Sequence, residues 1–420
     1  MTDQALPTDI DVIIAGAGMA GATLALALHS GGLKPLLIDP QPFDAQLAPT
    51  FDGRASAIGF SAFRQWRAIG AGEALAPHAQ PIEQILVTDD STPGAAKPSH
   101  LPFYLRFDSS EIADRSEGEP LGYLVENRYI RTALAGAVIE KGIPVLAPAA
   151  VASVNITPSH AEVILRDGRT LKAPLVVGAE GRGSVVRKSA GIGDFGWGYG
   201  QSGVVATVDL AKDHKGVAYE HFLPSGPFAI LPLTHQRASL VWTESTARGE
   251  ALRNARDEVF HAHLQRRFGD FLGQVKAVGP RFVYPLSILF VERLYAPRVV
   301  LLGDAAHGVH PIAGQGLNLG LKDAAALSQV LHEAMTLGED IGGEAVLQRY
   351  SRWRNVDNVG QAVVTDMLVR LFSNDNPALR LARGLGLAAV NRIGPLRRLL
   401  MHEAGGAFGD LPRLLRNQPL

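Results

Sequence analysis

The feature that most restricts what this chain can fold into is the run Leu301-Leu302-Gly303-Asp304-Ala305-Ala306-His307-Gly308-Val309-His310-Pro311-Ile312-Ala313-Gly314-Gln315-Gly316-Leu317-Asn318-Leu319-Gly320. Its apolar lead-in, 298–302, reads as a strand that ends in Gly-Asp. A loop rich in glycine and proline follows, and a helix is expected to start near Gly316. A strand tip that delivers one carboxylate beside a helix N-terminus can hold a polyol and an anion together.

The start of the chain repeats the theme. An apolar strand at 10–14 leads into Gly16-Ala17-Gly18-Met19-Ala20-Gly21, then an alanine- and leucine-rich helix over 20–29 and a second buried strand at 35–38. In such a unit Gly16 permits the tight turn, Gly18 lets backbone approach a pyrophosphate, and Gly21 allows helix and strand to pack closely. Asp39 closes the second strand roughly 20 residues on, where a carboxylate accepts hydrogen bonds from ribose hydroxyls. An acid there repels a 2′-phosphate and argues against NADP as the resident dinucleotide.

Between these anchors the pattern changes. Helical patterns are read at 64–74 and 122–136, and strands at 161–165 and 171–177. Short alternating runs at 203–210, 217–223, 228–233 and 238–244 suggest an antiparallel sheet, joined by 82–89 and 103–107. The nucleotide pattern resumes at 299–302. The expected fold class is α/β, a Rossmann-like dinucleotide domain interrupted by a β-rich substrate layer, with helices at the C-terminus. The expected pieces are 1–80, 121–187 and 285–367 for the first, 81–120 and 188–284 for the second, and 368–420 for the helices. The interface between the two layers is the natural ligand site.

Composition removes several classes of function. There is no cysteine, which excludes thiolate metal sites, iron–sulfur clusters and a redox dithiol. A net charge of −1, with 40 basic and 41 acidic residues well mixed, gives no reason to expect nucleic acid as a partner. No run approaches the ~18 apolar residues of a membrane span. The polar, acidic N-terminus does not resemble a signal peptide, and the expected location is cytoplasmic. His307 and His310 stand on a Gly-rich loop with no third ligand close in sequence, so no metal is expected. At the C-terminus, 368–372, 378–390 and 395–401 read as short amphipathic helices in which arginines at 370, 380, 383, 392, 397 and 398 alternate with leucines. Two readings stay open: a cover for the core, or a basic, apolar surface that meets the inner membrane or partner enzymes.

The run around Asp304 resembles the second flavin-binding motif of the FAD-dependent aromatic hydroxylases, the class A flavoprotein monooxygenases. His310 through Gly320 is similar to the signature of their ubiquinone-biosynthesis branch, the UbiH/VisC type. The middle segment Gly178-Ala179-Glu180-Gly181-Arg182-Gly183-Ser184 resembles a third motif of the family, although most members carry Asp where this chain has Glu180. The resemblance covers roughly 10–369. It implies FAD as cofactor, held by Gly16, Gly18, Met19, Ala20, Gly21, Asp39, Arg54, Arg128, Asp304, Pro311, Gly314, Gly316, Leu317 and Asn318. Ser184 and Arg187 are further candidate contacts. His310 and Pro311 are flavin-loop candidates, with no catalytic side chain assigned beyond them. Phe222, Phe228, Leu231 and Pro232, in a segment that also resembles the branch, are candidates for the substrate wall, and Tyr284-Pro285-Leu286 looks like the branch as well.

The family resemblance implies O₂-dependent hydroxylation of an aromatic ring through a flavin C4a-hydroperoxide, in a pocket kept dry. The expected substrate is a polyprenylated phenol of ubiquinone biosynthesis. The electron donor is expected to be NAD(P)H or a protein reductant, and an assembly with other enzymes of that pathway stays open as a partner. Alternatives on the same scaffold are hydroxylation of another aromatic compound, reduction of a prenyl chain, or flavin binding without turnover. A flavin halogenase needs a paired-tryptophan motif, whereas Trp66, Trp197, Trp242 and Trp353 are isolated.

Overall fold

Val12–Ala15 is apolar along its whole length because both faces of the sheet it belongs to are covered. It pairs in parallel with Pro35–Ile38 on one side and Leu175–Gly178 on the other. Val299–Leu301 and Val145–Leu146 extend the sheet, and Tyr295–Ala296 adds an antiparallel edge. In the computed structural model the described residues are 9–47, 51–89, 104–112, 119–309, 314–372, 376–407 and 409–420. His310, Pro311, Phe103 and the 91–100 stretch lie outside them, as do the side chains of Arg370 and Arg380.

The helix Met19–Ser30 is buried from Gly21 to Leu28, without a polar face. It is enclosed by the sheet and by the 22-residue helix Gln315–Thr336. Fully burying each leucine of such a helix contributes about 1.5–3 kcal/mol. Trp66, fully buried in the same core, donates its indole N–H to Thr23 Oγ1 at 3.0 Å, so its one polar atom is satisfied.

The second layer is an eight-stranded sheet in the order His307–Gly308, Val275–Val291, Asp194–Leu210, Arg237–Ser245, Gly226–Leu233, Val217–Leu223, Gln84–Asp89, Tyr104–Asp108. It is antiparallel except where Val217–Leu223 runs parallel to Gln84–Asp89. Two of its strands are 17 residues long and pair along most of their length. Val275–Val291 runs through positions 284 and 285, where the sequence pattern changes from one layer to the other.

Several expected elements divide in two. The run 171–177 becomes Thr170–Ala173, in a small antiparallel sheet, and Leu175–Gly178, in the parallel sheet. Pro174 stands between them and has no N–H to continue a ladder. The run 82–89 divides at Glu83 between a three-stranded sheet and the eight-stranded one. The helix expected over 64–74 is Phe60–Ala68, ended by Gly70 at φ +90°, and a separate turn Gly72–Leu75. The pattern at 122–136 is the strand Gly122–Glu126 followed by the helix Asn127–Glu140.

At the C-terminus, 368–372 is the tail of the 29-residue helix Glu344–Phe372, followed by Pro377–Arg392 and Gly394–Ala404. Part of this region packs on the core and part is exposed. Arg383 is buried against Asp89, Nε to Oδ2 2.8 Å, and donates to Leu371 O. Arg397 pairs with Glu111. Leu379, Leu385, Ile393, Leu396, Leu399 and Leu400 are exposed. Replacing Asp89 by Ala leaves the buried Arg383 guanidinium without its carboxylate. That is expected to cost about 3–5 kcal/mol, read as faster hydrogen exchange across 377–404 ahead of the parallel sheet.

Candidate functional site

One cavity of about 1090 Å³ lies between the two layers. Its polar end is built from the glycine loop (Gly18, Met19, Ala20), the Ala55–Ala57 backbone, Arg182, Gly303, Asp304 and the segment Gly314–Leu317. Its apolar end is walled by the eight-stranded sheet through Ile85, Val87, Phe107, Phe222 and Leu231. The C-terminal helices close it with Phe372, Leu387, Leu399 and Leu400.

The glycines of the first motif do different jobs. A Cβ on Gly21 would fall 2.0 Å from Gly16 O, and one on Gly16 would fall 2.5 Å from Ala179 O. Those two allow close packing. A Cβ on Gly18 would meet nothing within 4 Å, because Gly18 faces the cavity. Gly18 is also the N-cap of Met19–Ser30, and no side chain caps that helix. Its first amides are therefore free for an anion. Asp39 is mostly buried and accepts from Ala17 N–H at 2.8 Å and Gln41 N–H at 2.9 Å. These bonds fix the carboxylate beside the glycine loop, with further lone pairs for hydroxyl donors.

The second anchor rests on a buried carboxylate. Asp323, fully buried, accepts from Gly303 N–H at 3.0 Å, lies 2.6 Å from His307 Nε2, and accepts from Arg354 Nε at 2.8 Å. Burial opposes its ionisation, but the charges and hydrogen bonds of His307 and Arg354 outweigh it and hold the carboxyl well below the usual range. Gly303 itself sits at φ +57°, a conformation that favours glycine. Asp304 follows with its side chain more than half exposed in the cavity, and Arg182 Nε is 3.9 Å away. Arg182 is held in turn by Ser287 and packs over Gly308.

Gly314, at φ +63°, is the N-cap of Gln315–Thr336. The amides of Gln315, Gly316 and Leu317 precede the first intrahelical bond and face the cavity. Asn318 is different. Its side chain accepts from Gly59 N–H at 3.0 Å and donates to Ala57 O at 2.8 Å, which fastens the helix start to the strand Ala55–Gly59.

Other expected contacts are placed elsewhere. Arg187 is buried and donates to Ala305 O, Arg182 O and Asp194, while Ser184 Oγ accepts from Arg187 N–H as a helix cap. Both brace the loop and neither lines the cavity; the residues of that motif that do are Ala179 and Arg182. Glu180 Oε1 accepts from Val186 N–H at 2.8 Å, and burial pushes its carboxyl up. Arg54 pairs with Asp52 at 2.9 Å and lies over the Tyr284 ring. Arg128 pairs with Glu126 at 3.2 Å and lies over the Phe51 and Tyr129 rings, yet its buried Nε finds no acceptor among the described residues. On the substrate wall, Phe222 and Leu231 line the cavity. Phe228 does not: it packs edge-on to Trp242 and Phe268 on the opposite face of the sheet. Pro232 shares the parity of Phe228 in the strand Gly226–Leu233, whose cavity-facing residues are Pro227, Ala229 and Leu231.

An open backbone cradle at Gly18, free amides at two helix starts, and a cavity-facing Asp304 with Arg182 beside it fit a flavin dinucleotide. Residues 9–366 match the family model described as FAD binding domain. The chain is 44% identical over 414 residues to ubiquinone hydroxylase UbiL of Rhodospirillum rubrum, covering 98% of this chain and 93% of that protein. It is 34% identical over 411 residues to 3-demethoxyubiquinol 3-hydroxylase of Escherichia coli, covering 97% and 100%. Its fold is similar to that of p-nitrophenol 4-monooxygenase PnpA from Pseudomonas putida, with a TM-score of 0.78 at 17% identity, over 97% of this chain and 100% of that one.

The chain belongs to the FAD-binding-domain family and is an FAD-dependent monooxygenase. Within that class it belongs with the ubiquinone hydroxylases, the branch that the sequence resembles.

The two kinds of glycine can be told apart by substitution. Gly18→Ala is expected to fold with an unchanged melting temperature in the absence of FAD and to bind FAD at least tenfold more weakly. Gly21→Ala is expected to lower the yield of folded protein itself. Thermal melts and flavin titration of the two variants check this.

Proposed function

We propose that the protein hydroxylates the aromatic ring of a polyprenylated phenol in ubiquinone biosynthesis, using FAD and O₂. The observation that carries this reading is a continuous cavity with a dinucleotide-type polar end and a long apolar end. Bound FAD would supply the activated oxygen. Gly18, Met19 and Ala20 would cradle its pyrophosphate, with Gly16 and Gly21 letting the turn pack close behind them, Asp39 would hold its adenosine ribose, and Asp304 its ribityl hydroxyls. Charge-assisted hydrogen bonds of this kind contribute about 1.5–3 kcal/mol each. Arg54, Arg128 and Arg182 would complement the phosphates, with Arg54 and Arg128 first releasing part of their hold on Asp52 and Glu126.

The helix start at Gly314, Gly316 and Leu317 would face the pyrimidine edge of the flavin, where its dipole favours negative charge by up to ~2 kcal/mol in a partly buried geometry. His310 and Pro311 remain flavin-loop candidates. Phe222 and Leu231, with Ile85 and Val87, would hold the ring and exclude water. Electrons would come from NAD(P)H or a protein reductant.

The C-terminal helices offer a prenyl tail an apolar way out. Leu399 and Leu400 line the cavity and are exposed, and Ile393, Leu396, Arg392 and Arg398 are exposed nearby on the same helices. This face would rest on the cytoplasmic surface of the inner membrane, where each basic residue contributes about 1 kcal/mol toward anionic lipid. No described helix is long and apolar enough to cross a membrane. The intact protein is expected to float with anionic vesicles, and leucine-to-serine changes at 396, 399 and 400 to abolish flotation.

Mass spectrometry of quinone-pathway intermediates in cells lacking this protein tests the function. A prenylated phenol short of one or more hydroxyl groups is expected to build up. An unchanged ubiquinone pool, with no redundant hydroxylase present, would move the substrate elsewhere. At the cofactor, Asp304→Ala is expected to lose FAD while the fold persists, as read by flavin absorbance and circular dichroism.

A further inference from the structure

The strand Val217–Leu223 carries an acid in a place that selection for packing alone would fill with an apolar residue. Ala218, Glu220 and Phe222 all line the cavity. Glu220 pairs in register with Ala229 on one side and Val87 on the other, and both of these also line it. Among the described residues no hydrogen bond or ion pair holds the Glu220 carboxylate. Glu220 is partly buried in a mostly apolar wall; a carboxylate kept from water without a partner is costly, and its persistence in a ligand cavity points to use.

Its surroundings offer few charges. On its own strand the neighbours are Tyr219 and His221, and His221 Nδ1 is engaged by Thr88 at 2.7 Å. Across Gln84–Asp89, Asp89 is held by Arg383. Gly226–Leu233 presents only Pro227, Ala229 and Leu231 to the cavity. The charged groups on the remaining walls are Arg182 and Asp304 at the polar end, with Asp357 and Glu403 from the helices Glu344–Phe372 and Gly394–Ala404. Burial alone pushes the Glu220 carboxyl up to about 8. A carboxylate of that basicity is a far better proton acceptor than an ordinary one.

We propose that Glu220 is the proton acceptor for the ring hydroxyl of the phenolic substrate. The phenol O–H bond breaks, the proton joins a carboxylate oxygen of Glu220, and the electron pair stays on the phenolate oxygen. There it is delocalised onto the ortho and para carbons, which makes the ring a better nucleophile toward electrophilic oxygen. No electron is transferred in this step. The inference rests on the ring-hydroxylation reading above and adds the group that activates the ring.

The test compares FAD-loaded wild type and Glu220→Gln, a change that keeps size and shape. The probes are a short-tailed prenyl phenol and its nitro-substituted analogue, the latter mostly ionised at pH 8. Hydroxylated product is measured by mass spectrometry between about pH 6 and 10. The wild-type rate on the plain phenol is expected to rise through a midpoint near 8. The variant is expected to be about 100-fold slower at pH 8, with its rise moved to the phenol's own ionisation near 10. On the nitro analogue the two enzymes are expected to agree within about threefold. A variant that keeps the wild-type midpoint, or that loses rate equally on both phenols, overturns the assignment of Glu220. A flavin-loaded wild type that hydroxylates neither phenol instead overturns the ring-hydroxylation reading, and the inference with it.

Discussion

The Asp323 carboxylate is the point from which the cofactor end of this protein is organised. It collects Gly303 N–H, His307 and Arg354, and so joins the strand tip, the loop after it, and two long helices at one buried charge. An unpaired carboxylate in that position would be expensive to bury, whereas with these partners it is satisfied. Asp304 projects into the cavity because its immediate neighbour Gly303 is tied down from behind. Tyr350 adds a further tie, donating to Leu301 O at 3.0 Å just before the same turn. The acid that faces the ligand is thus positioned by one that never meets it.

The cavity separates its tasks along its length. At one end, backbone amides, arginines and carboxylates converge on turns whose glycines leave room for a ligand backbone. At the other, a sheet face supplies alternating apolar side chains. Alternation in Gly226–Leu233 sends Pro227, Ala229 and Leu231 toward the ligand and Phe228 into the packing behind the sheet. Under the proposed function, specificity for a ring with a long apolar tail would come from this wall and from the helices that end it.

Much of this was legible in the sequence where local chemistry determines structure. Gly16 and Gly21 declare the turn because a Cβ on either would fall 2.0 to 2.5 Å from backbone, and Gly18 between them leaves the cavity open. The parallel strands were legible as unbroken apolar runs. What was not legible depended on partners distant in the chain. Pro174 divides one apolar run between two sheets, and a stop in one ladder looks the same as a pause within it. Arg182 and Arg187 belong to one short motif, and only the fold decides that the first faces the cavity and the second braces the loop. The parity of Phe228 was readable as a period of two, but which face met the ligand was not. Glu220 carried a signal that could have been used, a single acid between Ala218 and Phe222 on a strand that is otherwise mostly apolar. The helix amides also shifted by one residue, since Asn318 lies past the first intrahelical bond and spends its side chain on Ala57 and Gly59.

The two 17-residue strands have a mechanical consequence. Asp194–Leu210 and Val275–Val291 pair near one end beside His307–Gly308, next to the cofactor turn, and near the other end beside the strands that wall the substrate. The same pair of backbones therefore belongs to both functional ends. A rigid-body hinge between them would have to shear a hydrogen-bonded ribbon along its length, which packed sheets resist. Access to the ring would then be governed by smaller bodies at the rim, the helices after Phe372. Catalytic alignment and ligand traffic are thereby assigned to different parts of the molecule, so that one can move without disturbing the other.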